Sequence, residues 1–137
     1  MADLFLLFFS FFSLAIFFLA FRFSKKGSFY SDTLPLTLLG IYVWGDGLVL
    51  APFWFSISLI FLIFGIEISA LIRFYVLFLG VRSAYEVVYW LLHQSANNTY
   101  RPPLFRSVSW LKAADTAILY QILHTCILVL SLSWLFL

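Results

Sequence analysis

The chain opens MADLFLLFFSFFSLAIFFLAFRF, with no charge between Asp3 and Arg22. A run of about 18 apolar residues is long enough to cross a bilayer as a helix. Further long apolar stretches lie within 34–64, 68–94 and 115–137. A chain of 137 residues that is 64% hydrophobic has too little interior to bury them all. Only 10% of its residues are charged, against about 25% in soluble chains. The apolar runs show no period-two alternation, which argues against a membrane β-barrel. The expected fold class is therefore all-α: a polytopic membrane protein built as a four-transmembrane-helix bundle. It is expected to be a single integral membrane domain over 1–137, with spans near 4–21, 48–64, 68–92 and 115–136.

The first run is read as a retained helix and not as a signal peptide. It has Asp3 where a basic residue would stand, an apolar core longer than about 7–15 residues, and no A-x-A site. The stretch from Leu34 to Phe64 would reach about 46 Å as one helix, against a hydrocarbon core of about 30 Å. Gly45-Asp46-Gly47 and Ala51-Pro52 interrupt it, and two glycines weaken a helix twice. These features predict a broken or re-entrant helix over 34–44, preceding a second span that starts near Leu48. Gly65-Ile66 is the turn into the third span, which makes spans two and three an antiparallel hairpin. Pro102-Pro103 marks an extended loop. The segment Ser107–Asp115 is either a short interfacial helix or the lead-in to the fourth span.

Basic residues orient the chain. Arg22, Lys25 and Lys26 lie between spans one and two; Arg101, Arg106 and Lys112 lie between spans three and four. The opposite side carries only Asp3 and Glu67. The positive-inside rule then makes both basic loops cytoplasmic and puts both termini outside, in a bacterial plasma membrane or an organelle inner membrane. The match of Asn97-Asn98-Thr99 to a glycosylation sequon would fall in a cytoplasmic loop, so it is read as chance. Trp44, Trp54, Trp90 and Trp110 are expected as interfacial anchors. The 18 phenylalanines are read as lipid-facing bulk, and Cys126 as a small buried apolar side chain.

The polar residues inside the spans are the candidate site. Tyr75, Arg82, Glu86, Tyr89 and His93 fall in one helical sector about 60° wide. Tyr120, His124 and Ser131 form a second stripe on the fourth span. Counted from the outer end, His124 lies about 20 Å deep, Arg82 about 24 Å, Tyr120 about 26 Å, and Asp46 and Glu86 about 28–30 Å. A charge at the bilayer centre costs about 2.5–3.5 kcal/mol on an insertion scale, so these groups should face one another or a wet cavity. The expectation is an inner-leaflet polar pocket of Asp46, Arg82, Glu86, Tyr89, Tyr120 and His124. A structural ion-pair cluster with snorkelling side chains is the plainer alternative.

No nucleophile motif, phosphate loop or metal-ligand spacing is present, so no metal and no cofactor are expected. The basic residues are too sparse for nucleic acid. The expected partners are the lipid bilayer and a second copy or another membrane protein. The expected role is a non-enzymatic subunit or oligomeric component in membrane transport or a membrane assembly. The alternative is a small membrane-embedded enzyme acting on a lipid or isoprenoid head group, with Arg82 holding an anion and Glu86 or His124 moving a proton.

Overall fold

The structure is a computed structural model that describes residues 2–93 and 101–136. These form four α-helices, α1 (Ala2–Lys25), α2 (Trp44–Ile63), α3 (Ile68–His93) and α4 (Ala113–Phe136), and one 3-10 helix, Leu34–Leu39. Each α-helix is long and apolar enough to cross a membrane. Among the described residues there is no strand beyond one isolated bridge, Asp32 to Val43. The sequon at Asn97–Thr99 lies outside the described residues. The chain divides into two compact units, Met1–Leu71 and Ile72–Leu137.

In the first unit α1 and α2 run antiparallel. Phe23 stacks on Trp44 with ring centroids 4.5 Å apart. Further along, Ile16, Ile41 and Ala51 form a buried cluster. Beyond it the Phe9 ring meets Trp54 edge-on, and the Ser10 and Ser58 hydroxyls meet at 2.7 Å. That last contact supplies a polar tie between two otherwise apolar surfaces, of a kind worth about 0.6 kcal/mol on average in membrane proteins.

Gly45-Asp46-Gly47 does not interrupt a helix. Those residues form the first turn of α2, which starts at Trp44 and not near Leu48. The glycines serve approach. A Cβ on Gly47 would lie 2.8 Å from the Ala20 Cβ, and one on Gly45 would collide with the Phe29 ring. Asp46 caps its own helix: the Tyr42 and Val43 N–H groups donate to its Oδ2 at 3.0 and 3.3 Å. A carboxylate there also complements the positive end of the helix dipole. Upstream, the 3-10 helix ends at Gly40, which is left-handed (φ 75°), and Val43 is extended before α2. That stretch folds back on 29–33. Thr33 N donates to Tyr42 O at 2.9 Å, Thr33 Oγ1 to Ile41 O at 2.6 Å, and Gly45 N to Phe29 O at 2.8 Å. Trp54 Nε1 donates to Leu39 O at 3.0 Å and so fastens the 3-10 turn to α2.

Pro52 lies inside α2 without ending it. Neighbouring helices compensate for such prolines in apolar spans. Gly65, at φ 60°, ends α2, with Ile66 N donating back to Phe61 O at 3.0 Å.

Several expectations change. Trp54 and Trp90 are buried in their units, each 2% exposed, so their indoles are used for protein packing. Trp110, by contrast, is 82% exposed. Cys126 is exposed on α4 and not buried. Residues 107–112 form turns, not a short helix, and α4 begins at Ala113. The exposure of many phenylalanines of α1, among them Phe5, Phe8, Phe11 and Phe18, is compatible with the expectation of outward-facing bulk.

Candidate functional site

The polar cluster lies between α3 and α4 in the second unit. On the part of α3 that belongs to this unit the buried positions are Gly80, Ser83, Glu86 and Trp90; on α4 they are Thr116, Ala117, Tyr120, His124 and Ser131. Spacings of three, four and seven put each set on one face of its helix. The two faces meet antiparallel. Trp90 packs on Ala117 and Tyr120 at one end. Glu86 and Ser83 follow, opposite Tyr120 and His124. Gly80 closes the row against Ser131, whose Cβ would be 3.3 Å from a Cβ at position 80.

Glu86 is the hub. Its Oε1 pairs with Arg82 Nη1 at 2.5 Å, one turn back on α3. Its Oε2 accepts from the Tyr120 hydroxyl at 3.2 Å, across to α4. A few ångströms along, His124 Nδ1 and Ser83 Oγ are 3.1 Å apart. The Arg82 and Glu86 side chains are only 13% and 8% exposed, so both charges are largely withdrawn from their surroundings. Such a pair is tolerated where geometry is close and further hydrogen bonds satisfy it. The Tyr120 bond meets that condition. The Arg82 guanidinium also lies over the Tyr85 ring, 5.3 Å from its centroid, a cation–π contact.

Tyr120 is fully buried among rings. Trp90, Phe105 and His124 each approach it edge-on, at centroid distances of 5.7, 6.3 and 4.4 Å. Phe105 comes from the 101–112 loop, which Arg101 holds in shape. The Arg101 guanidinium donates to the carbonyls of Val108 and Leu111, the latter at 2.8 Å. One of the six cations of the two basic segments is thus a structural strut.

Arg82, Glu86, Tyr120 and His124 are therefore gathered in one network. Tyr89 packs beside it against the Trp90 cluster, with its ring stacked on His93 at 4.3 Å. Asp46 belongs to the first unit, where it caps α2. The reading of the sequence missed Ser83, Trp90 and Gly80. It followed charges and phenols around α3, whereas the buried face is rotated about 80° from that stripe and shares only Glu86 with it. The available signal was small residues: Gly80 and Ser83 allow α4 close.

The arrangement constrains the chemistry it can do. Ser83 and His124 stand at the distance expected of a nucleophile and its base. Both are 1% exposed, which leaves a carbonyl substrate no approach. Among the described residues no three His, Cys, Asp or Glu side chains gather to hold a metal ion. No protein-family model matches the chain, and neither a curated protein nor a solved structure shows significant similarity to it.

Proposed function

We propose that this protein is a small integral membrane subunit without catalytic activity, acting in a membrane assembly. One observation carries the reading. Glu86 holds Arg82 of its own helix through one oxygen and Tyr120 of α4 through the other, so the strongest polar groups of the second unit are engaged with one another inside it. Large apolar side chains are left exposed on all four helices, from Leu4 to Phe136. They supply surface for lipid and for neighbouring helices, where association depends on packing and occasional hydrogen bonds. Of the roles considered from the sequence, assembly needs only this surface and a rigid interior.

The test is native mass spectrometry of the full chain purified from its own membrane in a mild detergent, with lipid turnover followed in parallel. The expected outcome is a complex of fixed stoichiometry, with a second copy or another membrane protein, and no conversion of added lipids. A monomeric chain that converts a lipid head group, with the conversion abolished by Glu86→Gln, would replace this reading with that of a membrane enzyme.

A further inference from the structure

We propose that the first unit binds one anionic glycerophospholipid, with a tail in a groove beside Pro52 and its head group on the basic end of α1. This does not rest on the assembly reading. A groove of about 210 Å³ opens between α1 and α2, lined by Leu14, Phe17, Ala51, Pro52 and Phe55. Its α2 wall is made of the compact Ala51 and Pro52 together with Phe55. Its lining is wholly apolar. Its volume is below the roughly 300–1,000 Å³ of small-molecule pockets, so it suits a segment of an acyl chain better than a compact ligand.

The charge that selects the lipid lies on the same face of α1. Leu14, Phe17, Phe21 and Lys25 follow one another at steps of three, four and four, a single stripe. The Phe17 and Phe21 rings stack at 6.5 Å, and the Lys25 ammonium sits 4.4 Å above the Phe21 ring. A continuous apolar track thus leads from the groove to a cation. The rise from Phe17 to Lys25 is about 12 Å, enough to separate the upper part of a tail from its phosphate. Arg22 and Lys26 flank Lys25 and are exposed. A zwitterionic lipid fits the groove equally well but gains less from three cations. The anionic lipid differs from the zwitterionic one by a single net charge, worth about 1–1.5 kcal/mol beside clustered cations at a membrane surface, so an overall preference of roughly tenfold is expected.

The probes are phosphatidylglycerol and phosphatidylcholine with identical acyl chains, titrated into the delipidated full-length protein and read by native mass spectrometry. The expected result is one bound lipid per chain and a roughly tenfold preference for phosphatidylglycerol. Arg22→Gln/Lys25→Gln should bring the two lipids towards equal occupancy. Leu14→Trp, which fills the groove, should lower occupancy by both. Equal retention of the two lipids by the native sequence overturns the proposal, as does a preference that survives the double substitution. Unchanged occupancy in Leu14→Trp overturns it too. Helix content by circular dichroism accompanies each variant, and Phe55→Trp fills the groove from the other wall if Leu14→Trp disturbs the fold.

Discussion

Replacing Glu86 with leucine would deprive Arg82 of its 2.5 Å ion pair and Tyr120 of its carboxylate acceptor at once. The cost should be about 2–3 kcal/mol, because a charge that loses its partner in apolar surroundings is expensive. The double substitution Arg82→Met/Glu86→Leu should cost less than Glu86→Leu alone, since it removes both charges. Tyr120→Phe should cost about 1 kcal/mol. Unfolding of the reconstituted chain under a titrated denaturant gives all three values. A double variant weaker than the single one would mean that Arg82 is accommodated independently of Glu86. At this scale the sequence was informative about chemistry and less so about partners. Polar type and spacing exposed Tyr120 and His124 on α4. Ser83 went unnoticed because a serine on a long apolar helix carries no charge to draw attention.

Helix-to-helix distance in the first unit is set by absent side chains. The Gly47 backbone and the Ala20 Cβ leave no room for a further carbon. Gly47→Ala should therefore destabilise the α1–α2 pair by about 1–3 kcal/mol, the usual range for overpacking. Ala20→Gly in the same chain should restore much of that loss, measured by the same unfolding titration. Absence of any rescue would place the strain elsewhere. Element existence was legible throughout, because a run of apolar residues without period-two alternation has only the helix as a solution in lipid. The start of α2 was not. Helix propensity treats Gly45 and Gly47 as breakers, yet here they are contact points, and close packing outweighs the backbone entropy they cost. The phase of α3 was misjudged for a related reason: its inward face is marked by Gly80 and Ser83, small residues that polarity does not rank.

For the molecule as a whole, the distribution of cations makes the sharpest prediction. In a Cys126→Ser background, Ser31→Cys and Ser109→Cys sit in the two basic loops and are both exposed. A membrane-impermeant maleimide should label both from the cytoplasmic side of sealed vesicles. Labelling from opposite sides would contradict a four-span topology. The division into two compact units was not foreseen from a composition that is apolar nearly throughout, because each core depends on a few contacts that no average reveals. Each unit also encloses one shielded indole, Trp54 against Phe9 and Trp90 against Tyr120. Chains that retain one or the other as their sole tryptophan therefore carry a built-in optical probe of that half alone. Their emission during unfolding would tell whether the halves melt as one cooperative body or as two.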